Sequence, residues 1–556
     1  MSFAELRNTE SELRAFQMRL GVAGMAVLVA FVLLLARFVW LQVLQHDAYS
    51  AKAEENRIAI VPLPPNRGLI LDRNGEILAR NYLAYTLEIF PAQVRDLDAT
   101  IAELAAFVDI TARDRARFRK LLQETKKVES LPIRTRLSDE EVARIAANRW
   151  RFEGVDISAR LFRRYPYGEI ASHVIGYIGR ITTSDLEQLE QQDLAANYRG
   201  TDYIGKAGIE ASYEEELHGA TGLERVEIDA AGRGVEKLST TPAQPGNNVS
   251  LTLDIRLQEV AERAFGEHRG ALVALEPATG GVLAFVSSPG YDPNLFVDGI
   301  DPQSWEALMS SPDRPLNNRA LAGLYPPGST FKPFMALAAL ELGKRTPRTT
   351  INDSTGYFLF GDRRFRDAKR GGHGVVDLYK SIVVSSDVYY YMLANDMGIE
   401  AISGFMKRFG FGARTGIDLE GEAEGVLPSP EWKHARFSRP EQQRWYAGET
   451  ISIGIGQGYN AYTPLQLAQA LATLANNGAM FRPRLVSHVD DPRTGARRYF
   501  EPELVRQVQL RPEHVAFVKR AMAGVNTEGT AARSFAGAQY TSGGKTGTAQ
   551  VIALKQ

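Results

Sequence analysis

The segment Tyr325-Pro326-Pro327-Gly328-Ser329-Thr330-Phe331-Lys332-Pro333 combines a turn, a serine and a lysine in an order typical of a nucleophilic site. Two prolines and a glycine predict the turn, and Phe334 to Leu342 predicts an amphipathic helix, so Ser329 is expected at a helix N-terminus. Lys332 shares the same face, because residues i and i+3 are neighbours on a helix. A neutral lysine amine there can take the serine proton and make the hydroxyl nucleophilic.

The lysine of this segment must lose its charge before it can act as a base. Burial or a second nearby cation lowers a lysine pKa enough for that. Taken alone, the segment favours a simpler interpretation, in which Ser329 caps a helix and Lys332 follows by chance. The other motifs of the chain therefore decide between the two interpretations.

Ser385-Ser386-Asp387 is the second motif, and it precedes a helix predicted from Val388 to Leu393. Ser385 is a candidate proton relay to the leaving group, and Asp387 is a candidate partner for Lys332 or for the substrate amide. Serine and aspartate are also frequent helix caps, and without further context capping is the better interpretation of this motif.

The third motif, Gly543-Gly544-Lys545-Thr546-Gly547-Thr548-Ala549-Gln550-Val551, predicts a strand. Lys545 would lie on one face, where its ammonium would lower the pKa of the lysine in the first motif. Gly547 would let a peptide substrate approach and pair as an added strand. The N–H groups of Ser329 and Thr548 would form an oxyanion hole. The substrate-binding candidates are Thr546, Gly547 and Thr548.

Two nucleotide-binding interpretations fail on spacing. Gly544-Lys545-Thr546 matches the end of a phosphate-binding loop, but Gln539 stands where that motif requires a glycine. Gly454-Ile455-Gly456-Gln457-Gly458 precedes a helix that opens at Thr463-Pro464, but no acidic residue follows at the distance that dinucleotide binding requires. The net charge is -1, so no global field favours nucleic acid either.

Composition sets further limits on the function. The 556 residues are enough for two or three domains, and 24% charged with 44% hydrophobic residues predicts a mostly globular chain. The sequence contains no cysteine, which excludes disulfides, thiolate metal ligands and cysteine nucleophiles.

Leu20 to Leu44 predicts a transmembrane helix. Leu20 to Ala36 is a run of 17 residues without a charge, and the apolar character resumes after Arg37. A cleaved signal peptide is the main alternative, with Ala51-Lys52-Ala53 as its cleavage site, but the apolar run is too long for one. A buried core helix is disfavoured because the segment is apolar on all sides. The basic residues on either side of the helix favour one orientation only weakly. The prediction that the catalytic region lies outside the cytoplasm therefore depends on the chemistry of the three motifs.

Local patterns divide the rest of the chain. Residues 1–19 are expected to form a cytoplasmic tail, and residues 45–247 an α+β pedestal without a catalytic cluster. Gln45 to Lys52 is expected to prolong the membrane helix. Within the pedestal, Leu69–Asp72 and Ile77–Ala79 predict strands joined by an Asn-Gly hairpin turn, and Leu97–Glu124 and Glu140–Ala147 show helical periodicity.

The turn-rich linker Thr240 to Asn248 marks the boundary to a catalytic domain at 248–556, where a sheet with helices on its faces is predicted. In this domain, Gly270–Leu275 and Gly281–Ser287 predict two strands joined by a turn at Pro277–Gly280.

Taken together, the three motifs and Gly454–Gly458 resemble the transpeptidase domain of penicillin-binding proteins, which carries the same trio. Tyr291 to Gly299 is similar to the corresponding segment of the elongation-specific members of class B, the penicillin-binding proteins that lack their own glycosyltransferase domain. The resemblance runs from about residue 15 to the end. It implies an α+β pedestal and an α/β transpeptidase domain of the serine β-lactamase-like fold, with one N-terminal transmembrane helix. Other segments resemble the class B pedestal: Arg67–Gly75, Arg164–Pro166, Gly205–Glu210, Tyr213 and Leu217–Gly219.

The resemblance implies a D,D-transpeptidase of the bacterial inner membrane with a periplasmic catalytic domain. Ser329 would attack the penultimate D-Ala carbonyl of a stem peptide, release D-Ala and pass the acyl group to an amine of a neighbouring stem peptide. Lys332, Ser385, Asp387 and Lys545 would complete the catalytic set. β-Lactams would acylate Ser329. The implied partners are a RodA-type glycosyltransferase and an MreC-type scaffold, with no nucleic acid.

Two features depart from the family pattern. The second motif usually ends in asparagine, whereas this chain has Asp387, as elongation-specific members often do. The printed sequence continues for only 11 residues after Lys545, and the family continues with further strands and a helix. The C-terminal part of the domain is therefore expected to be missing, which would leave the Lys545 strand on an unpaired edge.

A third departure concerns metal. Some relatives hold a structural zinc with a thiolate that would fall near Ser386, and serine is a poor replacement. Polar loop residues without an ion are favoured over a zinc site, so no cofactor is expected. The metal-ligand candidates are Asp353, Asp367 and His373.

Three other functions use parts of the same pattern. A β-lactamase needs a group that activates a deacylating water, and neither a Glu-x-x-Leu-Asn motif nor the anchored pedestal fits one. A D,D-carboxypeptidase uses the same trio with water as the acceptor, and that activity stays open. The intact trio disfavours an inactive scaffold, and a tail of 19 residues is short for the effector of a sensor.

Overall fold

The structure is a computed structural model that describes residues 9–46, 58–124, 130–228 and 234–549. The chain divides into two compact units. The first consists of Met1–Pro64 and Thr221–Ala243, and the second of Pro65–Ala220 and Gln244–Gln556. All three sequence motifs belong to the second unit.

The first unit contains the apolar N-terminal helix, which runs over Thr9–Val39 and continues as a π-helix over Trp40–Leu44. Within it, Leu13–Leu44 contains an 18-residue stretch with a mean hydropathy of 2.6 and is long and apolar enough to cross a membrane. The predicted extension over Gln45 to Lys52 lies outside the described residues from position 47 onwards. The same unit has a three-stranded antiparallel sheet in the order Ile58–Leu63, Gly222–Ile228, Gly234–Thr241.

A seven-stranded mixed sheet organises the second unit. Its long strand Ile77–Ile89 pairs with Leu131–Leu137 and with Val155–Arg164. Asn248–Leu251, from the catalytic region, pairs in parallel with Ile70–Leu71 of the pedestal. Backbone hydrogen bonds therefore join the two predicted regions in one sheet. The remaining strands of that sheet are Val486–Asp490 and Arg497–Tyr499, and shorter pedestal strands are Tyr177–Arg180, Tyr203–Ala207, Gly219–Ala220 and Gln244–Pro245.

The local predictions for the pedestal hold. Ile70 pairs with Ala79, and Leu71 with Ile77, so the Asn-Gly hairpin turn is confirmed. The helical periodicity predicted between residues 97 and 147 is also confirmed, with a break at residues 105–111. The pedestal helices are Leu97–Leu104, Ala112–Glu124, Asp139–Asn148, Ser172–Ile175, Thr183–Gln191, Gly208–Ser212 and Glu214–His218.

The catalytic region contains the predicted strand pair, in which Gly270–Leu275 lies antiparallel to Val282–Ser288. The helices Ile255–Phe265 and Pro464–Ala475 pack against this pair. Three two-stranded antiparallel sheets pair Ile351–Asp353 with Gly374–Val376, Tyr357–Phe360 with Arg363–Arg366, and Ala479–Phe481 with Leu504–Gln507. The other helices are Pro302–Ser310, Arg319–Ala322, Lys332–Glu341, Leu378–Val383, Asp387–Met397, Ile399–Arg408, Pro430–Arg436, Pro440–Gln443, Ala447–Ile453 and Pro512–Thr527.

The helix Lys332–Glu341 lies at the centre of the main hydrophobic core. Its residues from Lys332 to Leu340 are all buried. The sequence predicted an amphipathic helix here, and this prediction is wrong, because core side chains surround the helix on every side. Ser329 therefore precedes a helix that packing holds rigidly.

Candidate active site

Ser329 lies in a 3₁₀ turn, Gly328–Phe331, that leads directly into the helix Lys332–Glu341, close to the predicted N-terminal position. Gly328 has a φ of 54°, which favours glycine, and its N–H donates to the carbonyl of Gly456 at 3.0 Å. The Ser329 side chain forms no hydrogen bond with any residue in the described ranges. Its hydroxyl is therefore available to a substrate.

Lys332 is fully buried and donates hydrogen bonds from Nζ to two residues of the second motif. The acceptors are Asp387 Oδ1 at 2.6 Å, the Ser385 carbonyl at 2.7 Å and Ser385 Oγ at 3.2 Å. Burial lowers the pKa of Lys332, and the Asp387 carboxylate opposes that shift. The predicted contact between Lys332 and Asp387 is thus present.

Lys545 reaches the same hydroxyl from the third motif. Its Nζ donates to Ser385 Oγ at 2.8 Å and to the Thr546 carbonyl at 2.8 Å. Burial, and then the positive charge of Lys332, lower the pKa of Lys545 to about 7. A coupling between the two lysine charges is predicted from the sequence, and the charge of Lys332 does contribute to the lowered pKa of Lys545; such repulsion is reciprocal.

Ser385 joins the two lysines from an unfavourable backbone position. Its φ is 61°, in the left-handed region that residues with a Cβ seldom adopt. Its neighbour Ser386 caps the helix Asp387–Met397 by accepting a hydrogen bond from Tyr389 N at 3.3 Å. Capping, the plain interpretation of the motif, therefore applies to Ser386 rather than to Ser385.

The strand predicted around Lys545 is wrong for the part of the motif that the structure describes. No strand occurs over Gly543–Ala549, and Gln550 and Val551 lie outside the described residues. A strand requires a neighbour that completes its hydrogen-bond ladder, and no described strand pairs with this segment. Instead, the Gly544 N–H donates to the Met522 carbonyl at 3.0 Å.

The third motif nevertheless passes close to the turn that carries Ser329. A Cβ added to Gly328 would lie 2.6 Å from the carbonyl oxygen of Thr548. A Cβ added to Gly547 would lie 2.8 Å from Cγ2 of Thr330. Two glycines therefore permit the approach of the two segments, which places Thr548 beside Ser329.

Three contributors to the site were missed in the sequence. A Cβ added to Gly456 would lie 2.3 Å from the Gly328 carbonyl oxygen, so only glycine fits there. Gln457 Nε2 donates to the Thr548 carbonyl at 3.3 Å. Thr530 Oγ1 lies 2.6 Å from Thr546 Oγ1. The glycine-rich stretch signalled the first two, whereas no local pattern marks Thr530.

The metal-ligand candidates Asp353, Asp367 and His373 come together behind the second motif, with ligand atoms within 4.8 Å of one another. Ser386 Oγ lies 3.2 Å from Asp353 Oδ2. Asp353 Oδ1 is buried without a hydrogen-bond partner, and burial raises the pKa of Asp353. Two carboxylates and an imidazole fit a divalent cation such as zinc. Asp367 also accepts from the Asp387 N–H at 2.6 Å, so the cluster supports Asp387 directly.

Two family models match the chain. The penicillin-binding protein dimerisation domain matches residues 62–251, and the penicillin-binding protein transpeptidase domain matches residues 270–556. The peptidoglycan D,D-transpeptidase MrdA of Escherichia coli strain K12 is 42% identical, over 99% of this chain and 86% of that protein.

Solved structures agree with these matches. Penicillin-binding protein 2 of Helicobacter pylori, in a complex with MreC, is 30% identical with a TM-score of 0.75 and 89% of each chain covered. A structure of a peptidoglycan synthase complex that coordinates polymerization and crosslinking is 29% identical, with a TM-score of 0.69 and 95% of this chain and 88% of that chain covered. The chain therefore belongs to the family of penicillin-binding protein 2, the peptidoglycan D,D-transpeptidases called MrdA.

Proposed function

We propose that the chain cross-links peptidoglycan stem peptides during cell elongation, through an acyl-enzyme formed on Ser329. One observation carries this proposal: Lys332 and Lys545 both reach Ser385 Oγ, and Ser329, in the turn that leads into the helix of Lys332, has a hydroxyl that is unpaired within the described ranges. Two lysines with lowered pKa values and one hydroxyl form a path along which a proton can move at neutral pH.

Acylation begins when Ser329 Oγ attacks the penultimate D-Ala carbonyl carbon of a donor stem peptide. The C–Oγ bond forms and the peptide C–N bond breaks, so D-Ala leaves as an amine. The two lysines share one proton once the pair has lost its first, and in the form that carries this proton on Lys545, neutral Lys332 takes the hydroxyl proton. Ser385 Oγ, within hydrogen-bond distance of both lysines, passes a proton to the leaving amine. Asp387 orients Lys332.

The oxyanion of the tetrahedral intermediate needs donors that point at it before the reaction begins. The backbone N–H groups of Ser329 and Thr548 donate to no other residue in the described ranges. Removing one such donor from an acyl-transfer enzyme costs about 10²–10³ in rate. Gly547 lets the donor peptide approach closely. The substrate-binding residues are Thr546, Gly547 and Thr548.

The second half-reaction passes the acyl group to an amine of a neighbouring stem peptide. A C–N bond forms, the C–Oγ ester bond breaks, and Ser329 Oγ regains a proton along the same path. Water in place of the amine gives D,D-carboxypeptidase activity, a second candidate function that the same residues support. β-Lactams resemble the D-Ala-D-Ala end and would remain attached to Ser329.

We place the chain in the bacterial inner membrane, anchored by Leu13–Leu44, with its catalytic domain in the periplasm where peptidoglycan lies. The proposed regions are a cytoplasmic tail at 1–19, a membrane span at 20–44, a pedestal at 45–247 and a transpeptidase domain at 248–556. An MreC-type scaffold is a proposed partner because a relative forms a complex with MreC. A RodA-type glycosyltransferase is the other, because a relative belongs to a complex that couples polymerization to crosslinking.

A divalent cation held by Asp353, Asp367 and His373 would have a structural role. It would supply positive charge to two adjacent carboxylates. Because Ser386 Oγ contacts Asp353, this would help to hold the turn that presents Ser385 to the lysines. No proton transfer in the reaction depends on the cation.

The test is a transpeptidation assay with a pentapeptide donor and an amine acceptor. We expect the full chain to release D-Ala and to form the cross-linked product. Ser329→Ala should abolish both. Ser438→Ala, which changes an exposed serine, should retain both. Product formation by Ser329→Ala would refute the proposed nucleophile.

A further inference from the structure

A cluster of cationic side chains borders the active site. We call it the basic ribbon, and its residues are Arg363, Arg364, Arg366, Lys369 and Arg370. All five side chains are exposed, and none forms an ion pair with a carboxylate in the described ranges. Such a run of charges is ordinarily a solvated loop. An ordered backbone and a position beside catalytic groups would distinguish the ribbon from a solvated loop.

Three residues of the ribbon, Arg363, Arg364 and Arg366, lie in an ordered hairpin. Arg363–Arg366 pairs with Tyr357–Phe360, and Phe365 is buried against Tyr391 in a small hydrophobic cluster. Arg364 and Arg366 share one face of the hairpin, because alternate residues of a strand point the same way. The Arg364 guanidinium lies over the Tyr357 ring at 5.0 Å, which limits its freedom.

The position of the ribbon ties it to the catalytic groups. The Ala368 N–H, between Arg366 and Lys369 in sequence, donates to Asp387 Oδ2 at 3.2 Å. The other oxygen of that carboxylate binds Lys332. Lys369 of the ribbon is therefore one residue from the backbone contact with the catalytic cluster, and Arg366 is two residues from it. The acidic neighbours do not neutralise it, because Asp367 is buried and already bonded and Asp362 forms no ion pair with it in the described ranges.

We propose that the basic ribbon binds carboxylate groups of the acceptor stem peptide. This inference rests on the proposed function and deepens it by assigning the acceptor side. Arginine donates in a planar fork that matches a carboxylate, and unpaired arginines lose no existing partner when they bind one. A peptide with free carboxylates is therefore the substrate class that fits this surface.

The chemistry of the second half-reaction explains why the acceptor rather than the donor belongs here. The incoming amine must lose a proton as its C–N bond forms and the Ser329 ester breaks, and Ser385 Oγ is the relay. That relay adjoins Asp387, which contacts the ribbon segment. The donor instead lies along Thr546, Gly547 and Thr548, in the segment that contacts the relay through Lys545. The ribbon segment contacts the same cluster through Asp387, which leaves the ribbon to the acceptor.

The test compares two acceptors with the same full chain. One is a stem tripeptide with free carboxylates, and the other is the same tripeptide with every carboxylate converted to an amide. The readout is the ratio of kcat/KM for the two acceptors, with the donor held constant. We expect the wild type to prefer the anionic acceptor, and this preference should weaken as salt rises.

Arg364→Gln/Arg366→Gln and Lys369→Gln/Arg370→Gln remove charge from the two halves of the ribbon. Each exposed ion pair contributes modestly, so each double variant should reduce the preference about three- to tenfold, mainly through KM of the anionic acceptor. The matched control Arg348→Gln/Arg414→Gln changes two exposed arginines without ion pairs in the described ranges and should keep the wild-type preference.

Equal losses for both acceptors would overturn the inference, because the ribbon would then act on folding, on the donor or on Asp387. A wild type without preference would overturn it too. Failure of the proposed function has a different signature, since the wild type would then form no acyl-enzyme and no product with either acceptor.

Discussion

Lys545 Nζ lies 2.8 Å from Ser385 Oγ, and the same hydroxyl lies 3.2 Å from Lys332 Nζ. Two cations that share one hydroxyl repel each other, so one of them gives up its proton near neutral pH. The pKa of Lys545 is lowered to about 7, far below the ordinary value of a lysine. The site therefore holds one proton fewer than two ordinary lysines would hold. The neutral amine that results can accept the hydroxyl proton of the serine nucleophile.

The acylation rate should depend on pH through this pair. Below pH 7 both lysines carry protons and neither can accept one, so the rate should fall about tenfold per pH unit; above pH 7 it should level off. The measurement is the second-order rate constant of penicillin acylation between pH 5.5 and 8.5. Lys545→Met removes one of the two repelling cations, so the pKa of Lys332 should rise and the inflection should move to higher pH. A wild-type profile that falls as pH rises from 6 to 8 would contradict this prediction.

Lys332 should be irreplaceable by another cation. Loss of a general base typically costs about 10²–10⁴ in rate, so Lys332→Met should slow penicillin acylation by that factor. Lys332→Arg should be no better, because a guanidinium does not deprotonate at neutral pH. Lys344→Met, which changes an exposed lysine, serves as the matched control and should react at the wild-type rate. An active Lys332→Arg variant would show that this residue acts only through its charge.

Substitutions of Ser385 should separate the strain of its backbone from the role of its hydroxyl in acylation. Because its φ is 61°, Ser385→Gly relieves strain that Ser385→Ala retains, and the glycine variant should be more stable by about 1 kcal/mol. Both variants lose the relay, so both should acylate about 10²-fold more slowly. Thermal unfolding and the acylation rate check the two parts separately. A glycine variant that is less stable than the alanine variant would contradict the prediction that the backbone of Ser385 is strained.

Gly456 should tolerate no side chain, because the turn of Gly328 lies against it. Gly343 has a similar positive φ, 66° against 71°, but a Cβ there would meet nothing within 4 Å. Gly343→Ala should therefore cost only the strain of the left-handed conformation, about 1–2 kcal/mol. Gly456→Ala should cost about 1–3 kcal/mol more and also slow acylation, since Gly328 must shift. Denaturant unfolding measures the free energy of unfolding of both variants. Equal losses would mean that the close approach of Gly328 to Gly456 does not add to the cost of the substitution.

The sequence predicts those parts of the site that depend on short spacing. Ser329 and Lys332 lie in one turn and the helix that it leads into, as their spacing predicts. The Asn-Gly hairpin and the strand pair around Pro277–Gly280 follow from the same kind of signal. These features could be predicted because neighbours in the chain produce them.

The features that could not be predicted depend on distant partners. The helix after Ser329 is buried all round because of helices far away in sequence, which no periodicity within ten residues reveals. The Lys545 segment has strand character, but a strand forms only beside another strand. The contact between Asp387 and Lys332 joins residues 55 positions apart in the sequence, and only the tertiary structure brings them together.

The central claim is that Ser329 becomes acylated, and intact-mass spectrometry after incubation with a penicillin tests it most directly. The account predicts an adduct with the mass of the penicillin on the wild-type chain and on Ser438→Ala, and none on Ser329→Ala. Peptide mapping should place the adduct within the segment that contains Ser329. A folded wild-type chain without an adduct, or an adduct retained by Ser329→Ala, would contradict the account.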